Sequence, residues 1–170
     1  MNGRPTLLWT IGGTTAVLFA LVITPQLRLV YNASDSAPRG FYVVHRGAQF
    51  RVGDYVVARL PEDTARLAAA RGYLPRSVPV LKRIAASGGQ QVCLRHGTVY
   101  IDDKPTARVL HADGNHRPLS AWKHCRRLGP DELFLLNAYS LSSFDSRYFG
   151  PLDVSFVRGR AVALWTFGVQ

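Results

Sequence analysis

The stretch VPVLKRIAA, residues 78–86, decides the fold class of this chain. It is short, rich in aliphatic and β-branched residues, and bounded by turn formers, which is typical of a strand. FYVVH (41–45), VGDYVVARL (52–60) and QQVCLRHGTVYIDDKP (90–105) have the same character. The Asp-Asp-Lys-Pro sequence in the last of these predicts a hairpin between a strand at 91–101 and the next strand. Together these segments predict an antiparallel sheet.

The rest of the chain after this sheet pattern adds two strands, one helix and a loop. DELFLLN (131–137) and RGRAVALWTF (158–167) return to the strand pattern, and the more polar residues 106–130 predict an inserted loop. PEDTARLAAARGYLP (61–75) predicts the one helix, because a proline and two acidic residues open it and a glycine and a proline close it. We therefore expect a mainly β domain with one short helix and an inserted loop.

The composition fits one domain with a membrane anchor. The chain has 170 residues, 47% of them apolar, which excludes wholesale disorder. Its formal charge of +10 suits nucleic acid, an anionic membrane surface or acidic partners. The basic residues are scattered, however, and no base-reading motif accompanies them. We expect a basic surface beside phospholipid head groups and no nucleic-acid partner.

An uncharged segment, residues 5–27, precedes the predicted sheet. Its centre, LLWTIGGTTAVLFALVI (7–23), is long enough to cross a bilayer core of about 30 Å as a helix. A cleaved signal peptide is the alternative, but its apolar core is shorter and ends at an A-x-A-like site that is lacking here. We predict a cytoplasmic tip and transmembrane anchor at 1–27, and a separate domain at 28–170. One arginine on each side of the span leaves the orientation open.

The two cysteines, Cys93 and Cys125, both follow the predicted span. Two is the minimum for one disulfide, and a disulfide persists in an oxidising compartment such as a periplasm. The alternative is two independent buried thiols. A disulfide would pin the inserted loop to the strand that carries Cys93 and would place the domain outside the cytoplasm.

Lys82 is the residue of the predicted sheet with the most chemical interest. Strand alternation places it on one face with Val80 and Ile84. On an apolar face the pKa of a lysine falls, because burial disfavours the ammonium form. The neutral amine can then act as general base for a serine hydroxyl. The alternative is that the side chain extends outward and its ammonium group reaches water.

Four ordered motifs resemble those of the membrane-anchored serine–lysine signal peptidases, and most of all the conjugative-transfer group of the TraF type, which matures plasmid-encoded pilin precursors. The motifs are NASDSAPRGFY (32–42), GDYVVA (53–58), LKRIAASGG (81–89) and SFDSRYFGP (143–151). The resemblance extends to RPLSAWKHCRRLGPDELFLLN (117–137) and AVALW (161–165), and so covers nearly all of the predicted domain. It implies the antiparallel-sheet fold of a signal-peptidase-like catalytic domain.

The resemblance implies the roles of three residues in the reaction. The serine of the family's serine-x-proline motif falls on Ser36, which would be the nucleophile, and the lysine of its lysine–arginine motif falls on Lys82, the general base. Ser34, two places before the nucleophile, would donate to the oxyanion beside the backbone N–H of Ser36. Pro38 restricts the backbone here, which would aim Ser36 at a substrate.

Three residues of the last motif would support these groups. The resemblance implies that Ser143 orients the lysine amine and that Asp145 and Arg147 form an ion pair that buttresses the site. In the pilin-maturing group, the acidic residue is also implicated in joining pilin ends. One departure is Ala37, where general signal peptidases have methionine and one residue more before the proline. The shorter spacing agrees with the conjugative group and argues against a housekeeping role.

The expected protein is a serine endopeptidase that is anchored once in a bacterial inner membrane, with its catalytic domain in the periplasm. Its partners would be a pilin-like precursor protein and inner-membrane lipid, and its products linear or cyclised. It would need no cofactor. The alternative is a non-catalytic, membrane-anchored periplasmic scaffold of a conjugation or type IV secretion assembly, which has no need of the Ser36 and Lys82 pair.

A zinc site is a third interpretation, because three histidines and a cysteine lie within 15 residues. They are His111, His116, His124 and Cys125. Their spacings match no common structural zinc pattern, and Cys125 is already assigned to the predicted disulfide. We expect no metal and interpret the histidines as polar loop residues.

Overall fold

The computed structural model describes residues 28–34, 37–137 and 140–167. The predicted anchor at 1–27 and the predicted nucleophile Ser36 lie outside these residues. Within the three ranges, no helix has the length and apolar character needed to cross a membrane.

The described residues form two antiparallel sheets, which confirms the mainly β prediction. The strands are β1 (Arg28–Asn32), β2 (Arg39–His45), β3 (Tyr55–Ala58), β4 (Val80–Ala86), β5 (Gln91–Arg95), β6 (Thr98–Ile101), β7 (Lys104–Arg108), β8 (Cys125–Arg127), β9 (Glu132–Leu136), β10 (Leu152–Asp153) and β11 (Val157–Phe167). The larger sheet has the order β1-β2-β11-β3-β4-β9-β10, and the smaller one the order β7-β6-β5-β8.

Strand β4 lies between β3 and β9 in the larger sheet and carries Lys82 opposite Val56. The predicted alternation is confirmed, because Val80, Lys82 and Ile84 are all buried whereas Arg83 is exposed. Apolar side chains cover both faces of the strand: Ile84 belongs to one buried cluster and Leu81 to another. A central strand with both faces covered removes its lysine from water.

The smaller sheet is a meander with two tight turns. Asp102 and Asp103 connect β6 to β7 with φ of 46° and 62°, a left-handed pair suited to a two-residue hairpin turn. The single strand predicted at 91–101 is wrong, because His96 and Gly97 form a second such turn with φ of 46° and 73°. Gly97 takes a positive φ without steric cost, and it was the sequence signal for this turn.

The predicted helix is shorter than its sequence pattern. Helix α1 spans Glu62–Ala70, follows Pro61 and ends before Gly72, whose φ is 71°. The expectation of one helix is wrong, because α2 (Ser146–Phe149) is a second one. Its single turn follows Asp145, whose carboxylate accepts from the Arg147 N–H, and so short a helix has no periodicity to detect. A 3-10 turn at Val154–Phe156 precedes β11.

The predicted inserted loop, residues 106–130, is shorter in the structure, because both of its ends belong to strands of the smaller sheet. Strands β7 and β8 take residues at the two ends, so that the loop proper is 109–124. The predicted disulfide is present: Cys93 and Cys125 are opposite each other on β5 and β8 and are covalently joined. The alternative of two independent thiols is therefore wrong, and the Cys125 sulfur is not available as a metal ligand.

Candidate active site

A cavity of about 650 Å³ opens beside the middle of β4. Its walls come from β1, the chain after α1, the first half of β4 and the loop 140–144. Most of the lining is apolar, but Lys82, Ser34 and Ser143 all face it. The cavity therefore brings together three residues that are spread over more than 100 positions of the sequence.

Lys82 is buried at the base of this cavity, with 4% of its surface exposed. Burial lowers its pKa to about 8; the Asp145 carboxylate opposes this shift and the Arg147 guanidinium adds to it. The Nζ atom donates to Ser143 Oγ at 2.6 Å. The alternative in which the Lys82 side chain extends outward into water is therefore wrong. With a pKa of about 8, the neutral amine required of a general base forms near physiological pH.

Ser143 holds the lysine amine and is itself held by the backbone around it. Its N–H donates to the Ser140 carbonyl at 3.2 Å, and its own carbonyl accepts from Arg147 Nη2 at 3.1 Å. Only 6% of Ser143 is exposed. The Ser143 hydroxyl is therefore held by its surroundings at the position where it accepts from Nζ; its role in orienting the amine remains a prediction.

The Asp145 and Arg147 side chains form a fully buried, bidentate ion pair. Nε and Nη2 of Arg147 donate to the two carboxylate oxygens at 2.8 Å each. The same guanidinium donates to the carbonyls of Arg108 at 2.8 Å and Ser140 at 2.8 Å. Pairing and hydrogen bonding offset the free-energy cost of burying the two charges. The hydrogen bond to the Arg108 carbonyl connects the segment that carries Arg147 to β7.

Asn32 is a buried residue that the sequence analysis did not assign to the site. Its Nδ2 donates to the carbonyls of Ser34 and Ala37 at 2.9 Å and of Pro38 at 3.2 Å. Its Oδ1 accepts from the Ser34 hydroxyl at 2.9 Å. An asparagine just before a proline-containing loop was the available signal, because asparagine side chains bond the backbone a few residues on.

Ser34 and Ala37 are the described residues that lie nearest to Ser36 in the sequence on its two sides. Ser34 lines the cavity, and Ala37 is buried in the same apolar cluster as Leu81, the neighbour of Lys82. The roles of Ser36 and Ser34 remain predictions. The structure does bring Ser34, Lys82 and Ser143 to one cavity, with Asp145 behind it.

Comparison with known families identifies the family of the chain. Residues 5–166 match the family described as "Signal peptidase, peptidase S26". The chain belongs to this signal peptidase family. The resemblance to signal peptidases is therefore confirmed. The domain belongs to a family of peptidases.

Individual relatives narrow the position of the chain within the signal peptidase family. It is 34% identical to "Conjugal transfer protein TraF" of Agrobacterium tumefaciens (strain 15955), over 98% of this chain and 99% of the relative. It is 30% identical to "Plasmid transfer protein TraF" of Escherichia coli, over 85% and 86%. The TraF-type resemblance is thereby confirmed.

One solved structure with a similar backbone is a signal peptidase I from Enterococcus faecalis V583. The match has a TM-score of 0.42 and 20% sequence identity, and it covers 66% of this chain and 97% of that one.

Proposed function

We propose that the protein is a membrane-anchored serine endopeptidase that uses Ser36 as nucleophile and Lys82 as general base to process exported, pilin-like precursors in plasmid conjugation. The observation that carries the proposal is Lys82 itself. This lysine is buried in a central strand, has a pKa of about 8, donates to Ser143 Oγ and faces a cavity of about 650 Å³. A titratable group with a strongly shifted pKa that faces a cavity is a candidate functional residue.

The neighbours of Ser36 support its pairing with Lys82. Ser34, two positions before Ser36, lines the same cavity as Lys82. Consecutive Cα atoms are about 3.8 Å apart, so a residue two positions from Ser34 stays within about 8 Å of it. This short separation along the chain supports Ser36 as the nucleophile that Lys82 serves.

The reaction is acyl transfer. The Lys82 amine takes the proton from the Ser36 hydroxyl, whose oxygen attacks the substrate carbonyl carbon. Backbone and side-chain donors stabilise the resulting oxyanion, and each is worth roughly 3 kcal/mol of barrier. The Lys82 ammonium then protonates the leaving amine, the C–N bond breaks, and an acyl-Ser36 ester remains.

The ester has two routes of resolution. Water, deprotonated by Lys82, releases a linear product and restores the serine hydroxyl. An amine of the substrate's own chain releases a cyclic product instead. In either route Ser34 has to exchange its acceptor, because its hydroxyl donates to Asn32 in the resting structure. Asn32 therefore competes with the oxyanion for this proton.

The surface near β1 supports a position at the lipid surface of an inner membrane. Leu29 and Tyr31 on β1 are more than half exposed, and so are Leu164 and Trp165 on β11. Strand β2 lies between β1 and β11 and pairs with both, so that these side chains belong to the same edge region of the larger sheet. An apolar patch this close to the predicted span fits contact with lipid, with the domain on the periplasmic side, where its disulfide persists.

The conjugative role is supported by the relatives, whose names are those of conjugal and plasmid transfer proteins. A substrate that is itself membrane-inserted and exported suits a site held near the bilayer.

The test is co-expression of candidate pilin precursors with the full chain. Wild type should yield mature product, and both S36A and K82A should leave the precursor intact while the proteins remain folded. Mass spectrometry of the product separates the two routes, because a cyclic peptide is one water lighter than the linear form. Normal processing by K82A would contradict the peptidase mechanism and favour the scaffold alternative.

A further inference from the structure

One wall of the cavity is aromatic and contains neither residue of the proposed dyad. Tyr73, after α1, and Phe144, next to Ser143, both line the cavity, with ring centroids 5.3 Å apart. We call these two rings the aromatic wall. The remaining surface beside it is aliphatic and includes Leu60, Leu74 and Val78. A substrate side chain against this wall has to be apolar and of limited size.

Tyr73 is held in place by residues of the inserted loop. Its hydroxyl donates to Asp113 Oδ2, and the guanidinium of Arg117 lies over its ring, 5.5 Å from the centroid. Phe144 also packs against the ring, and Arg71 Nη1 donates to the Tyr73 hydroxyl at 3.4 Å. Apart from Arg71, none of these partners is within 35 positions of Tyr73 in the sequence.

Asp113 is the centre of this support. Its side chain is 7% exposed, and Oδ2 accepts from Arg117 Nε at 2.8 Å, with Arg71 Nη1 3.8 Å away. Its Oδ1 accepts from the N–H groups of Asn115 and Arg117, at 2.9 Å each. Burial would raise the pKa of Asp113, but the hydrogen bonds from Tyr73, Arg117 and Asn115 outweigh it and hold the pKa below its ordinary value. The carboxylate is therefore charged and rigid.

The same loop also supports the second ring of the aromatic wall. Tyr148 stacks on Phe144 with centroids 5.9 Å apart, and its hydroxyl accepts from the Leu110 N–H at 3.1 Å. The Arg117 guanidinium further donates to the Arg71 carbonyl at 2.9 Å, which fixes the chain at the end of α1. The inserted loop thus contacts Tyr73 directly and supports Phe144 through Tyr148.

We propose that Tyr73 determines which substrate side chains the cavity accepts and that Asp113 is the positioning residue that holds Tyr73. The inference rests on the proposed peptidase function. The aromatic wall takes an uncharged, apolar side chain of the precursor close to the cleaved bond. Asp113 acts on binding through Tyr73 and has no part in the proton transfers at Lys82.

The experiment uses the full chain and synthetic peptides that contain the cleavage junction of a precursor processed by the wild type. Each residue next to the bond is changed in turn from alanine to valine, leucine and phenylalanine. The variants are Y73F, which removes only the hydroxyl, Y73A, which removes the ring, and D113N. The matched control is D103N, which removes an exposed carboxylate paired with Arg95 in a turn that asparagine tolerates.

We expect Y73F and D113N to raise KM about threefold to tenfold, the effect of one lost hydrogen bond, with kcat nearly unchanged. Y73A should increase the preference for phenylalanine over alanine at one position by about tenfold or more, because the aromatic wall no longer limits size. The double variant Y73F/D113N should be no worse than D113N within about twofold, since both act through one contact. The pH dependence set by Lys82 should not move in any of them.

Two results overturn the inference. One is unchanged KM and unchanged selectivity in Y73A and Y73F; the other is an equal loss of kcat for all peptides together with a lower melting temperature, which indicates a purely structural role. Failure of the wild type to cleave any precursor contradicts the proposed function, and this inference with it. Cleavage by the wild type with no effect in the variants contradicts this inference alone.

Discussion

Lys82 and Arg147 are both cationic and almost completely buried, yet the regions around them differ. Arg147, beside α2, is 1% exposed and donates to both oxygens of Asp145 and to several backbone carbonyls. Lys82, in the middle of β4, is 4% exposed and donates one hydrogen bond within the part of the chain that the structure describes, to Ser143. Within the described residues, the Arg147 guanidinium has several acceptors and the Lys82 ammonium has one.

The difference shows how one fold makes one buried cation structural and another reactive. A guanidinium stays protonated at any relevant pH, so that a full set of acceptors makes Arg147 a permanent tie between segments. A lysine loses its proton when desolvation outweighs its partners, which is why the pKa of Lys82 is lowered to about 8. The number of acceptors, and not burial alone, separates the two roles.

The largest expected effect is on the reaction, from K82M. This variant keeps the length and apolar stem of the side chain and removes the amine. We expect peptide cleavage to fall by about 10⁴-fold or more, the usual cost of losing a general base. The measurement is single-turnover cleavage of a junction peptide. Residual cleavage near the wild-type rate would show that Lys82 is only a buried cation.

The same variant also tests the pKa of Lys82 through stability. The folded-state pKa is below the ordinary 10.5, so the unfolded chain binds more protons than the folded one between about pH 8 and 10.5. Stability of the wild type should therefore rise over this window relative to K82M, as measured by urea denaturation at several pH values. A pH-independent difference would contradict the lowered pKa.

The next largest effect is on stability, from R147M. The Asp145 carboxylate would remain buried without its partner, which costs about 3–5 kcal/mol of unfolding free energy. The control is R126M, which breaks the surface pair with Glu132 and should cost about 1 kcal/mol or less. Urea denaturation measures both. Equal losses in the two variants would contradict the distinction between the cation with several acceptors and the cation with one.

A smaller effect is expected from N32A, which removes a buried but neutral group. Three carbonyls of the segment 34–38 lose their donor, so we expect a loss of about 1–3 kcal/mol in unfolding free energy. Cleavage should fall as well, because the segment around Ser36 loses its support. The exposed amide side chain of Gln49 provides the control variant Q49A. If the two variants retained equal activity, Asn32 would have no part in holding this segment.

The smallest effect concerns the pH profile. Wild-type kcat/KM should rise as pH increases through about 8, because only the neutral Lys82 amine accepts the serine proton. In S143A the ammonium form loses an acceptor, so this limb should move to lower pH by about one unit or less, with a lower plateau rate. A shift to higher pH would mean that Ser143 stabilises the neutral amine instead.

Local patterns in the sequence were sufficient for much of the fold. The alternation around Lys82 predicted its face correctly, because side-chain direction in a strand depends only on the backbone. Proline and glycine gave the start and end of α1 for the same local reason. The second helix and the turn at His96 were missed, since four residues and two residues carry too little signal to set against the strand pattern around them.

The missed parts of the site are contacts between distant segments. Asp113 and Tyr73 are 40 residues apart, and no periodicity links them. In the sequence, Asn32 resembles any asparagine near a loop. Only the folded chain brings three backbone carbonyls within reach of its side-chain amide. The sequence motifs assigned Ser143, Asp145 and Arg147 to support of the site, but not the carbonyls to which Arg147 donates.

The alternation of polar and apolar residues and the four peptidase motifs are properties of the sequence alone, and they determined the sheet class and the family. The two cysteines allowed a disulfide, and the folded chain places them opposite each other so that it forms. The tertiary structure decided how far water is excluded from Lys82. Its partner Ser143 lies 61 residues away, and the side chains that bury it come from other strands and loops. A pKa depends on everything within a few ångströms, and only the folded chain specifies which groups those are.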